Sequence, residues 1–181
     1  MDGFKLNIEK AKATILYITK QLDNADFLKV FKILYFAERE HLATYGGPIV
    51  GDIYIAMRRG PVPSFIYDAL KYLRGEGCYN PAYDSFIRAL AITDHFHLIA
   101  NENPDLEELS RSEILCLDKS ILENKYIDFE PLSEKSHDLA WNEASCDDEM
   151  DYLKIAKAGG ASDTILKYIE ESRENYNIVF A

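Results

Sequence analysis

Between Asn7 and Leu22 the apolar residues Ile8, Ala11, Ile15, Ile18 and Leu22 recur at alternating three- and four-residue steps, with Lys5, Glu9, Lys10, Lys12 and Lys20 elsewhere. That spacing predicts a surface helix with one buried stripe. Asp23-Asn24-Ala25-Asp26 predicts a turn whose Asp26 caps the next helix. From Phe27 to Ala43 there are two stripes, Phe27, Val30, Phe31 and Leu34 on one side and Leu28, Tyr35 and Leu42 on another. A helix apolar on two sides is a central one. It keeps a polar strip of Lys29, Lys32 and Arg39, which suits either a solvated edge or a basic surface that meets an acidic partner.

Glycines and prolines then punctuate the chain. Gly46-Gly47-Pro48 stops the central helix. A short strand within residues 52 to 58 is predicted by alternation, with Ile53, Ile55 and Met57 inward and Tyr54, Ala56 and Arg58 outward. Pro61 and Pro63 impose extended backbone on Gly60 and Val62, so a helix should start at Pro63, bury Ile66, Ala69, Leu70 and Leu73, and end at Gly75 and Gly77. Residues 86 to 92 and 95 to 100 predict a β-hairpin about Thr93-Asp94, which with the strand 52 to 58 would make a three-stranded sheet.

Further on, Ser110 to Glu113 has the pattern of a helix capping box, ahead of a face of Ile114, Leu117, Ile121 and Leu122. Ser133 is placed to cap a helix carrying Ser136, His137, Ala140 and Trp141. The acidic run Asp147 to Asp151 breaks the pattern, and Gly159-Gly160 precedes a last helix, Ser162 to Asn175, with Ile165, Tyr168 and Ile169 inward. The expected fold is α+β: a mostly helical single domain over residues 1 to 181 with a small antiparallel sheet or hairpin.

Composition narrows the function classes. At 181 residues and 48% apolar content the chain has material for a substantial core. A net charge of −11 argues against a sequence-independent grip on nucleic acid, which needs clustered Lys and Arg. Cys78, Cys116 and Cys146 are too scattered for a disulfide framework or a zinc cluster. No apolar run approaches a membrane span and the first residues lack signal-peptide order, so a cytoplasmic location is expected.

Candidate chemistry is thin. His95 and His97 would share a strand face, without a third ligand near in sequence. His137 and Trp141 stand one helical turn apart, as a packed pair or as a stacked catalytic His. Ser64 has no nucleophile elbow around it, and neither glycine pair has the pattern of a phosphate loop. No metal or cofactor is expected, nor a catalytic activity. A winged-helix reading would use the helix Pro63 to Arg74 and the hairpin after it, with Arg58, Arg59, Lys71, Arg74 and Arg88 on phosphates, against the net charge.

One further order of residues is informative. Leu34-Tyr35-Phe36-Ala37, Arg39-Glu40-His41-Leu42, Tyr45-Gly46-x-Pro48-Ile49, Gly51-Asp52, Ala56, Gly60-Pro61-Val62-Pro63, Ile66-Tyr67-Asp68 and Leu70-Lys71 follow one another in register. Together they resemble the SocA-like antitoxins, the Panacea domain family. The likeness is strong over about residues 8 to 77 and continues more weakly to about residue 144, through Leu132-Ser133, Ser136-His137 and Trp141. It implies a cytoplasmic prokaryotic protein, helical with a small β element and without cofactor or catalysis. Such a protein neutralises a cognate protein toxin, usually from an adjacent gene, by masking it or by handing it to an ATP-dependent protease. Some relatives carry an added DNA-binding module, for which no room is expected before Asn7, so direct nucleic-acid binding is not expected.

Tyr and Arg are the residue types that most often anchor interfaces, so Tyr54, Arg58 and Arg59, projecting from the strand beside Gly60-Pro61-Val62-Pro63, are the first candidates for partner contact. The alternative at Arg58 and Arg59 is surface pairing with Asp52, Asp68 or Glu38. Lys29, Lys32 and Arg39 form the second candidate surface.

Overall fold

The computed structural model describes residues 4–180, so Met1–Gly3 and Ala181 lie outside the described residues. Its first helix, α1 (Ile8–Gln21), starts where the Asn7 side chain accepts from the Lys10 amide at 3.1 Å. In α2 (Phe27–Tyr45) the Asp26 carboxylate accepts from the Leu28 and Lys29 amides, and Gly46, at φ 74°, ends the helix in the left-handed conformation. Both boundaries agree with the sequence reading to within two residues.

α2 is the hub of the fold. It packs on α1, on α5 (Arg111–Asn124), on α6 (Phe129–Lys135), on α8 (Tyr152–Ala158), on α9 (Asp163–Phe180) and on a β ribbon. Ile33, Leu34 and Tyr35 are fully buried, as a central helix requires. Its two stripes enter two apolar clusters, except that Leu28, expected on the second stripe, packs with the first cluster. Val30, Phe31, Ile33, Leu34 and Ala37 join α1, α3 (Ser64–Leu73) and α5, while Tyr35, Phe36 and Leu42 join Tyr54, Leu132, Met150, Ile155 and Ile169. The capping box at Ser110 and Glu113 is present, and Glu113 also pairs with Lys10 at 2.8 Å.

The β structure differs from expectation in three ways. Strand β1 (Tyr54–Met57) pairs antiparallel with β2 (Gly60–Pro63), its own return, across the two-residue turn Arg58-Arg59. The prolines of β2 sit on an edge strand, where a missing N–H is tolerated. Residues 86 to 89, expected as strand, belong to helix α4 (Asp84–Ala89), leaving a separate two-stranded hairpin of β3 (Leu90–Thr93) and β4 (His97–Ala100). A three-stranded sheet therefore does not form.

The third difference is the parity of β1. Tyr54 and Ala56 are buried, and Ile53 is exposed. The larger ring of Tyr54 takes the inner face, against Tyr35 with centroids 5.4 Å apart, and alternation of aliphatic residues missed this. The acidic segment, for which no motif accounts, covers the other edge of β1: the Asp147 and Met150 amides donate to the Ala56 and Tyr54 carbonyls and the Ala56 amide donates to Asp148.

Smaller departures follow the same pattern. Leu122 and Tyr168 are exposed rather than inward, and Tyr168 lies over Gly46. Ser133 lies inside α6; the cap role belongs to Asp138, which opens α7 (Leu139–Glu143). The β3–β4 hairpin is tied to the α1–α2 junction by the Phe27 amide on the Phe96 carbonyl at 3.0 Å and the Leu98 amide on Ala25 at 2.9 Å. Phe96 is thereby stacked on Phe27, centroids 5.8 Å apart, beside the ribbon.

Candidate functional site

The Arg58-Arg59 turn is exposed, yet its backbone is held from below by three side chains. The Trp141 indole N–H donates to the Met57 carbonyl at 2.9 Å, the Ser133 hydroxyl to Arg59 at 2.9 Å, and the Lys32 ammonium to Pro61 at 2.8 Å. Gly60, at φ 93°, sits over this support: a Cβ there would overlap Ser136 Oγ and lie 3.1 Å from Lys32 Nζ. Only glycine fits both the left-handed backbone and the close approach. Gly60 and Pro61 are thus shape-determining, and Pro61, Val62 and Pro63 are buried.

Ser133, Ser136, His137 and Trp141 are the site residues that sequence reasoning missed. They were visible as a later motif of the same resemblance, but nothing in the sequence says that residues 133 to 141 fold beneath residues 57 to 61. Ser136 donates to the Ser133 carbonyl at 2.6 Å, and the His137 ring stacks on Trp141 with centroids 3.8 Å apart, as the packed pair. Among the described residues His137 Nε2 is buried without a hydrogen-bond partner; burial, and then the charge of Lys32, push this imidazole below its ordinary value.

Two buried carboxylates fix the backbone on either side. Glu38 accepts from the Ile49 and Val50 amides at 2.6 and 3.0 Å, and burial outweighs those donors to push it up to about 7. Asp52 accepts from the Phe65 and Ile66 amides, both at 3.0 Å, supplying α3 with the cap that Pro63 lacks; burial pushes it up to about 6. Neither is free to pair with Arg58 or Arg59, and Asp68 lies 4.0 Å from Lys71. Among the described residues Arg58 has no ion pair, and Arg59 only stacks on Phe129, 5.6 Å from the ring centroid.

Beside the turn runs a groove of about 410 Å³. Phe27, Leu28 and Lys32 of α2, Met57 to Arg59 and Val62 of the ribbon, Tyr67 of α3, Arg74 just after it, and Phe96 line it, together with Asp147. Arg74 stacks on Phe27 and Phe96 and pairs with Glu76 at 2.6 Å.

The strip on α2 does not exist as a surface. Lys32 is 1% exposed, with burial alone bringing its ammonium down to about 7. Arg39 pairs with Asp138 at 2.8 Å and stacks on Phe36, away from the groove. Lys29, half-buried, lines a separate hollow of about 360 Å³ with Lys125, Tyr126 and Phe129. Tyr54 is entirely buried and does not line the groove.

His95 falls in the hairpin turn at φ 63° while His97 is in β4, and among the described residues no three His, Cys, Asp or Glu side chains are grouped to hold a metal. Of the basic residues that a nucleic-acid reading would use, Lys71 and Arg74 are engaged with Asp68 and Glu76. Among the described residues no helix is long and apolar enough to cross a membrane.

A helical hub, a β ribbon propped on it and a cradle closed by residues 133 to 141 are the parts that the family comparison spans. The family model "Antitoxin SocA-like, Panacea domain" matches residues 30–142, from within α2 to α7, and so covers both the turn and its cradle. The chain belongs to this antitoxin-like Panacea family. No match was found among curated proteins or among solved structures.

Proposed function

We propose that the protein neutralises a cognate protein toxin by direct contact, through the groove and the Arg58-Arg59 turn beside it. The observation that carries this is the pair of exposed arginines, without carboxylate partners on a chain of net charge −11, on a turn pinned through three carbonyls. Rigid presentation lowers the ordering cost that binding must offset, and arginines beside an apolar groove have the character of interface anchors. The toxin is expected to come from an adjacent gene, as the family resemblance implies.

Coexpression with that gene's product tests the reading. Arg58→Ala with Arg59→Ala should leave the melting point within the range of surface substitutions, about 0.5 kcal/mol, while rescue from the toxin is lost. Full rescue by the stably folded double variant would move the contact elsewhere. Delivery to an ATP-dependent protease would need the same contact and differs in one measurable: toxin half-life, not only toxin activity, would depend on this protein.

A further inference from the structure

Several cations of this protein have carboxylate partners: Lys10 pairs with Glu113, Lys12 with Glu9, Arg39 with Asp138, Lys119 with Glu40 and Arg173 with Asp151. With 31 acidic against 20 basic residues such partners are plentiful. Three cations that line the groove have none. Among the described residues Arg58 and Arg59 at its rim have no ion pair, and Lys32 at its floor, 1% exposed, has a single hydrogen bond, to a carbonyl. A buried ammonium normally requires a paired charge and several acceptors, since desolvation costs several kcal/mol. Asp147 lines the same groove without joining any of the three in an ion pair. Between these cations the walls are apolar, from Phe27, Met57, Val62 and Phe96.

From this we infer the occupant: an acidic, amphipathic segment of the toxin whose apolar side chains fill the groove, whose flanking carboxylates meet Arg58 and Arg59, and one of whose carboxylates reaches Lys32. The inference rests on the antitoxin reading and adds the chemistry of the partner's segment. Carboxylates supplied in trans complete the ion pairing that Arg58, Arg59 and Lys32 do not find within this chain. Forked pairing suits arginine at the rim, and a compact ammonium suits the floor. Burial leaves Lys32 near the neutral range when alone, and an arriving carboxylate favours its charged form.

The test uses the full chain and the adjacent gene's product, purified as a complex, with three rim variants compared for affinity. If the segment is acidic, Arg58→Lys with Arg59→Lys should bind within about tenfold of the parent, the alanine pair should lose about 10- to 100-fold, and Arg58→Glu with Arg59→Glu should lose more than the alanine pair by a further tenfold or greater. Affinity should also fall as salt is raised from 50 to 500 mM. Lys32→Met, which keeps the stem, should raise the dissociation rate more than it lowers the association rate, whereas the rim variants chiefly lower the association rate. Amide exchange should protect this groove and a toxin segment of net negative charge.

Equal losses for lysine, alanine and glutamate pairs, or protection of a neutral or basic toxin segment, would overturn the inference while leaving the complex, and so the antitoxin reading, intact. Failure to form any complex, with the toxin still lethal, sinks both. If the chain alone is a dimer that the glutamate pair dissolves, the groove holds a second copy and the inference falls.

Discussion

The two sides of α2 use burial for different ends. Toward α1, α3 and α5 the helix offers Val30, Phe31, Ile33, Leu34 and Ala37, all fully buried among apolar neighbours. Toward the ribbon and α6 to α8 it offers Lys32, Tyr35 and Arg39, whose polar ends reach the Pro61 carbonyl and the Asp138 carboxylate, with the Phe36 ring under the Arg39 guanidinium. Apolar area removed from water supplies most of the driving force for folding. Buried polar bonds add little net stability but are costly to break, so they specify one arrangement. The first side therefore holds the domain together, and the second sets the shape of an exposed turn.

The largest expected effect lies on the first side. Leu34→Ala removes a fully buried side chain from the apolar cluster and should cost about 2–5 kcal/mol in chemical denaturation. Whatever protein stays folded should still bind, because nothing in the groove has moved. A folded Leu34→Ala protein that has lost toxin rescue would break the division between the two sides.

A pH titration of stability sharpens it next. Glu38 and Asp52, raised to about 7 and about 6, contribute stability that is fully present below their unfolded values near 4.5 and 3.8 and is lost as pH rises through the folded ones. Lys32 has the opposite sign: its folded value of about 7 lies below the unfolded 10.5, so stability present above 10.5 is lost as pH falls to about 7, and below that its effect is constant. Between about pH 5 and pH 7 the two carboxylates lose stability, His41 and His137, held below their ordinary value of 6.5 by burial, regain a smaller part of it, and the net fall in urea denaturation should be about 1–3 kcal/mol. A flat profile over that window would show that the amide donors to Glu38 and Asp52, together with the two histidines, offset the burial of the carboxylates.

Gly60→Ala comes third. The new Cβ overlaps Ser136 Oγ at a left-handed φ, so the turn must shift, at about 1–3 kcal/mol. Toxin rescue should fail while α1, α2 and α5 stay folded. Trp141 reports on the shift, since it is the chain's one tryptophan and its indole donates to Met57 beside the turn. Unchanged indole fluorescence and chemical shift in the variant would mean that the cradle does not control the turn.

How much of this was written in the sequence follows the same division. The stripes of α1 and α2, the Asp26 cap and the Ser110-Glu113 box are local patterns, and all are found in the structure. Arg58 and Arg59 were legible as exposed because they are charged residues at a turn. Lys32 was misplaced on a solvated strip because its type says exposed, and only the fold of residues 57 to 61 against it decides otherwise. Tyr54 was turned outward for a related reason: alternation ranks aliphatic residues inward, whereas here packing against Tyr35 decides the face. The acidic run 147 to 151 has no periodicity of its own, and its role is to pair by backbone with β1, which no side-chain pattern encodes.

The smallest expected effect is the one that separates satisfied from unsatisfied polar groups within the second side. Tyr35 and Tyr54 are both fully buried there, with rings 5.4 Å apart. The Tyr35 hydroxyl donates to the Asp138 carboxylate at 2.9 Å, which Arg39 also holds, whereas among the described residues the Tyr54 hydroxyl has no hydrogen-bond partner. Burial drives both phenols well above their ordinary value, so both remain neutral donors throughout the working pH range. The same substitution should then have opposite signs. Tyr35→Phe removes a charge-assisted bond and leaves Asp138 short of a donor, a loss of about 1–2 kcal/mol. Tyr54→Phe removes a hydroxyl that is desolvated for nothing in return, and should be neutral or stabilising by up to about 1 kcal/mol. Equal destabilisation in urea denaturation of the two variants would show that the Tyr54 hydroxyl has a partner, and with it that the second side is as fully satisfied in its polar groups as the first is in its packing.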